Sequence, residues 1–494
     1  MKKLITLLLA AGMTFSAVNP SSAVEVKVDG TFDFSFSGGE GINGSSSFMD
    51  ETDYRFNTGR KMNQRHFDVF QRLRLGAEFV MNEQLSAYYQ LQVGTFSWGG
   101  PYKGASKEEN NGGALGTRAS NIVTRLAYVD WMVPHTGVHV RMGQQPVTLP
   151  GYVAGSPVLD DPAAGVVISS PISDHFDISG MWLRAISDPL RTSSGEYELS
   201  SADVDLFGIV ANMKYEDFAV TPWVMVGHGG KNFDRVRNTG PVTSGVLPFN
   251  GMERIFWDGS GLALEEAGSG STLWFAGLSG ELRLFSPFRV AMDFYYSGLD
   301  NAHSSTERDG WYLAGLVEYK MPWVTPALKA WYASGDNDDP TDGSERPLTL
   351  SGGFAPGAST YFKGRYSIAN TIDNGSPAGT WGVSAQLNRF SFLEGLSHDL
   401  RVTYFKGTND KDMPYFINNM YGGSVTPANY LTEKDSVVEV DFDTSYEIYK
   451  NFMTVLELSY AFQDFDDYVW RNAAGDKREY SDAWRAALNF RYKF

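Results

Sequence analysis

Cysteine is absent from the 494 residues, which excludes a disulfide framework and thiolate metal centres. Histidine is scarce, at seven residues, and these are scattered without an H-E-x-x-H pair. No G-x-S-x-G elbow, phosphate loop or dinucleotide glycine pattern occurs either, so enzymatic chemistry finds little support and no enzyme is expected. Beyond the first 23 residues there is no run of about 18 apolar residues, so membrane-spanning helices are not expected. Basic residues are in the minority, 41 against 58 acidic, which argues against a nucleic-acid partner.

Aromatic residues and glycine, by contrast, are plentiful: 12 Trp, 25 Tyr, 32 Phe and 52 Gly. The mean hydropathy is nevertheless only -0.26. A chain whose lipid-facing residues alternate with polar ones gives this combination, because the alternation cancels in the average. At the N-terminus, Lys2 and Lys3 precede an apolar run over 4–18, and Ser21-Ser22-Ala23 offers small residues for cleavage. Residues 1–23 are therefore expected to be a cleaved secretory signal peptide, and 24–494 a single domain. Removing the leader, with its two lysines, takes the formal net charge from -17 to -19.

The last fourteen residues set the pattern. Trp484, Ala486, Leu488, Phe490, Tyr492 and Phe494 form an apolar row, and Arg485, Ala487, Asn489, Arg491 and Lys493 the alternate one. Strict period-2 alternation predicts a strand with one apolar and one polar face. Trp484, Phe490, Tyr492 and Phe494 resemble the C-terminal signal of bacterial outer-membrane barrels, which implies a barrel-closing strand read by the assembly machinery. Upstream, Phe67, Val69, Leu73, Leu75, Ala77 and Phe79 alternate with Asp68, Arg72, Arg74 and Glu78. The pattern recurs between short turns near 81–84, 134–137, 173–175, 215–217, 286–287, 321–325, 388–398 and 447–450. Long polar connections separate the other ends: 96–120, 148–163, 188–202, 229–271, 298–309, 335–378, 407–433 and 463–480. Short turns at one rim and long loops at the other predict an all-β transmembrane antiparallel barrel. The count gives 18 strands, or 16 if the faint segments 164–187 and 388–406 are discounted. Tyr and Trp at predicted strand ends, among them Trp131, Tyr295, Trp323, Trp331, Tyr332 and Tyr449, read as girdles at the membrane interfaces.

The third long loop, 148–163, carries Pro150 and Pro157 just after Pro146. These prolines deny it ladder hydrogen bonds, and in porins of this layout such a loop folds inward. Asp160 and Asp161 would then face Arg72, Arg74 and Arg141 across a constriction. The resulting transverse field would sort solutes by charge. Asp68 and Glu78 are the lumen carboxylates available to support the arginines. Arg125 shares phase with Ala127, Val129 and Trp131, which makes it a candidate for a subunit interface, with the lumen as the alternative. Asp336, Asp338, Asp339 and Asp342 cluster as DNDDPTDG. They are a weak candidate for Ca2+ without EF-hand spacing; no other cofactor is expected.

The segments LAYVDWMVP (126–134), VHVRMGQQ (138–145) and LPGYVAGSPVLDDPAAGVVIS (149–169) resemble the homotrimeric outer-membrane porin family of sulfate-reducing bacteria. QRLRL (71–75) and NFRYKF (489–494) fit the same pattern. The resemblance implies a homotrimer in outer-membrane lipid and lipopolysaccharide, with a water-filled pore in each subunit for small hydrophilic solutes and ions. The alternative is a substrate-specific channel for a sugar or carboxylate. A barrel-embedded enzyme is the less favoured third option, and a secreted β-sandwich is undercut by the closing strand and the loop asymmetry.

Overall fold

The computed structural model describes residues 24–42, 66–99, 122–187, 203–230, 271–300, 307–364, 375–420, 425–471 and 480–494, with a few isolated residues between them. The leader expected over 1–23 lies outside the described residues.

Eighteen strands form one antiparallel sheet that closes on itself. They are β1 (Glu25–Glu40), β2 (His66–Asn82), β3 (Leu85–Ser97), β4 (Ile122–Met132), β5 (His139–Thr148) and β6 (Asp160–Ser173). Next come β7 (Phe176–Ile186), β8 (Val204–Lys214), β9 (Phe218–Gly229), β10 (Ser271–Leu282), β11 (Phe288–Asp300) and β12 (Arg308–Tyr319). The circuit ends with β13 (Thr325–Ala333), β14 (Thr380–Phe390), β15 (Leu396–Gly407), β16 (Ser436–Tyr449), β17 (Phe452–Asp464) and β18 (Ala483–Lys493). The faint segments are strands β6, β7, β14 and β15, so the count is 18 rather than 16.

Closure runs from Thr31↔Lys493 to Glu40↔Trp484, and the terminal residue takes part in it. The Gly30 and Phe494 amides and carbonyls exchange hydrogen bonds of 3.0 and 3.1 Å. The Phe494 ring lies over Gly30, where a Cβ would meet the ring at 2.5 Å and the Arg74 carbonyl at 2.7 Å. Only glycine leaves room for the aromatic end of the chain there.

Outward rows are apolar and exposed, as at Val28, Phe207, Val226 and Phe462. An apolar band around a closed barrel finds its cover in a bilayer. Every short turn lies at one end, and nine longer connections, L1 to L9, lie at the other. The ones that matter here are L3 (149–159), L7 (334–379), L8 (408–435) and L9 (465–482). Trp131, Trp323, Tyr332 and Tyr449 face outward as the girdle reading expects, but Tyr295 and Trp331 are buried inside. Alternation alone could not separate the rows, because in this barrel both contain aromatics.

Candidate functional site

L3 folds into the lumen. Its Tyr152 and Val153 amides donate to the two carboxylate oxygens of Asp293 on β11, at 2.8 and 2.7 Å. Arg289 donates to the Tyr152 carbonyl at 3.0 Å, and the Tyr152 hydroxyl lies 3.1 Å from Thr221 Oγ1 on β9. The loop thus reaches from its own hairpin to a wall several strands away.

A second loop joins it. L7 runs beside L3, with the Leu350 and Ser351 amides donating to Val158 O, Gly353 N to Ser156 O and Ala355 N to Ala154 O. This pairing makes an inner ribbon across the barrel. Behind it, Leu348, Leu350, Phe354 and Phe362 form a buried core with Tyr312, Trp331 and Phe405 of the wall. Aromatic rings meet edge to face there, with Trp331 5.4 Å from Phe354 and 5.9 Å from Phe362.

L7 is held by carboxylates of the wall. Glu439 of β16 accepts the Thr360 and Tyr361 amides at 2.7 and 3.0 Å. Asp441 accepts the Ser359 amide and hydroxyl at 3.3 and 2.5 Å. Glu457 of β17 accepts the Tyr366 amide at 3.3 Å. Arg401 on β15 balances this charge, 2.5 Å from Asp443 and 4.0 Å from Asp441. The acids supply acceptors for loop amides that would otherwise be buried without partners. The alternating acids Glu439, Asp441 and Asp443 were the available sequence signal, since three carboxylates on one inward row demand buried donors.

The wall that carries the sequence-predicted arginines is arranged differently. Asp33 of β1 accepts from Arg72 at 2.9 Å and from Arg491 of β18 at 2.6 Å. Arg74 donates to Gln92 at 2.9 Å and shares the electrostatic neighbourhood of Arg72, Arg125 and Arg491. Arg125 is brought into this row by a bulge. Gln90 of β3 pairs with Leu126 and Leu91 with Thr124, leaving Arg125 as the extra residue. It lies within electrostatic reach of Asp161 and Arg72, so the outward placement that simple alternation gives it is corrected.

Asp161 accepts from Ser351 of L7 at 2.9 Å. Asp160 accepts from Thr148 at 2.9 Å and lies 3.7 Å from Lys363 of L7. The two acids therefore meet the inner ribbon, with Asp161 also facing the arginine row. Arg141 does not belong to that row. Asp130 grips it at 2.7 and 3.0 Å, and its guanidinium stacks 4.6 Å from the Tyr128 ring. Asp130 pairs with Ser86 on β3, whereas Arg74 pairs with Gln92. That is about 20 Å of strand nearer the short-turn end. Among the described residues Asp68 and Glu78 do not pair with these arginines: Glu78 lies 4.0 Å from Lys27, and Asp68 sits opposite Ser37. Asp33, on a strand far away in sequence, takes that part.

The aspartates of L7 do not converge. Asp336 is buried and accepts from Ser344 at 2.6 Å and from Tyr430 of L8 at 2.7 Å. Burial and the nearby Asp336 charge push the Tyr430 phenol well above its ordinary range. Asp339 accepts from the Thr341 amide and hydroxyl in an Asx turn, and Asp342 accepts from the Asn337 side chain. Among the described residues, no group of three or more His, Asp or Glu is arranged to hold a metal ion.

No protein-family model matches the sequence, and no curated protein does. Solved structures do. OccAB3 of Acinetobacter baumannii shares 12% identity with a TM-score of 0.51, over 95% of this chain and 100% of that one. OpdK of Pseudomonas aeruginosa, solved with vanillate, shares 11% identity with a TM-score of 0.51, over 95% and 98%. The outer membrane protein OprD of Pseudomonas aeruginosa shares 10% identity with a TM-score of 0.50, over 95% and 93%. These likenesses show a common fold, the closed 18-stranded outer-membrane barrel.

Proposed function

We propose that this barrel is an outer-membrane channel that selects small anionic solutes, above all those bearing a carboxylate. The observation that carries the reading is the row Arg72, Arg74, Arg125 and Arg491, drawn from β2, β4 and β18. Its described carboxylate neighbours are Asp33 and Asp161. Guanidinium groups bind carboxylates through paired donors, and a charged row beside a low-dielectric ribbon attracts anions more strongly than the same charges in bulk water. OpdK, a barrel of the same fold, has been solved with the carboxylate vanillate, which supports the same solute class.

A selective channel fits the lumen better than a general diffusion pore of the kind expected for sulfate-reducer porins. Two loops rather than one occupy the lumen, and L7 brings a packed apolar core with it. On this reading the leader directs export, the short-turn end faces the periplasm, the closing strand engages the assembly machinery, and the subunits form a homotrimer.

Reversal potential under a KCl gradient in a planar bilayer tests the proposal. The expected result is anion preference, moved toward cations by the double variant Arg74→Gln and Arg125→Gln. Cation preference in the unaltered protein overturns the reading. Current closing in three equal steps would support the trimer, and single steps would remove it.

A further inference from the structure

A second cationic region lies away from the arginine row. Beneath the L3–L7 ribbon, against the short-turn halves of β12–β15, is a cavity of about 450 Å³. Lys329, Lys363, Arg389 and Arg401 line it together with Glu318; Arg401 is matched by Asp441 and Asp443, and Lys363 by Asp160, from outside the lining. The cations come from different elements: Lys329 from β13, Arg389 from β14, Arg401 from β15 and Lys363 from L7. Neighbouring contacts hold several of them in place. Arg401 donates to the Gly357 carbonyl at 3.0 Å as well as to Asp443, and Arg389 donates to Thr325 Oγ1 at 3.1 Å. Glu318 is itself drawn toward Arg289, 3.6 Å away, which lessens its hold on the chamber.

The roof is backbone. Gly155, Gly353 and Gly357 face the cavity, and a Cβ at Gly357 would meet Ser384 Oγ at 2.4 Å. The ribbon therefore packs tightly on the β14 wall beside the chamber. The arginine row sits on β2, β4 and β18 and the chamber on β12–β15, and Lys363 of the chamber pairs with Asp160 at the start of β6.

We propose that this chamber is an exit-side binding site for small multiply charged anions, of the di- and tricarboxylate class. The proposal rests on the reading that the barrel conducts anions. A monoanion satisfies one cation of the chamber, whereas a di- or tricarboxylate engages Lys329 and Arg389 from adjacent strands together, and walls of low dielectric strengthen both contacts. A site near the exit must hold its solute weakly enough to release it, so it acts as a waystation whose occupancy shows as interruption of current.

Sided block by citrate tests it. Channels inserted from one compartment share an orientation, and citrate is then added to one side or the other during KCl conduction. The expected result is block at a concentration at least tenfold lower from one side than from the other. The double variant Lys329→Met and Arg389→Gln should abolish that asymmetry, and Lys329→Arg with Arg389→Lys should preserve it. Equal block from both sides of the unaltered channel, or no block, overturns the chamber site without recourse to any variant. Asymmetry that survives in Lys329→Met with Arg389→Gln overturns it too. The reversal potential of the unaltered channel separates the two proposals. Cation preference there defeats the anion-channel reading itself, whereas anion preference without sided block defeats only the chamber.

Discussion

On β16 and β17, Glu439, Asp441, Asp443 and Glu457 are at most 2% exposed. On β2, β4 and β5, the side chains of Glu78, Asp130 and Arg141 keep 39%, 23% and 30% of their surface. Both walls follow the same alternation of outward apolar and inward polar residues. What separates them is L7, whose backbone amides take up the β16 and β17 carboxylates, while among the described residues no L7 amide donates to a side chain of β2–β5. Where a loop docks, the wall carries acceptors for its amides; where the lumen stays open, it carries guanidinium groups that a passing solute can meet. Carboxylates thus anchor a loop on one side, and on the proposed reading guanidinium groups select solutes on the other.

Breaking the anchored wall should have the largest effect. Asp441→Asn with Asp443→Asn removes the two carboxylates that grip buried Arg401 and leaves Asp399 as its remaining acid, at an expected cost of about 3–5 kcal/mol, read by denaturant unfolding of the detergent-folded barrel. If L7 is released rather than the barrel unfolded, single-channel conductance should rise in the same variant. Asp293→Ala removes the acceptor for two L3 amides. Hydrogen bonds to a charged group are worth about 1.5–3 kcal/mol each, and the freed loop should increase current noise. Gly30→Val tests closure at the seam beside the open wall. Its Cβ has no space beside Phe494 and the Arg74 carbonyl, so a loss of about 1–3 kcal/mol is expected from overpacking, read as a lower unfolding temperature. The smallest effect sharpens the comparison. Asp33→Asn removes the acid between Arg72 and Arg491 and should strengthen anion preference, shifting the reversal potential with little change in conductance. An unchanged potential would show that this wall does not select.

The legibility of the barrel in the sequence follows from its period. β18 and β2 alternate cleanly, and the turns at 174–175 and 450–451 fall within or beside the expected 173–175 and 447–450. Arg72 and Arg74 were readable as lumen residues because both flank Leu73 in an unbroken stretch. Arg125 was not, since one inserted residue between Thr124 and Leu126 reverses the parity of all that follows. Arg141 meets Asp130 of the adjacent strand and not the loop acids that the sequence pattern sets against it, while Asp160 turns to Lys363.

Alternation, turn chemistry and the aromatic end determined that this chain forms a closed barrel with its loops at one rim, because each is a local property of a few consecutive residues. Only the tertiary structure decided that Asp33 would meet Arg491, 458 residues away. It also decided that L7 would enter the lumen beside L3, and that Glu439 and Asp441 would be covered while Arg74 stayed on the passage. Those outcomes depend on which amides and carboxylates the closed barrel brings within about 3 Å, and no local pattern in the sequence carries that distance.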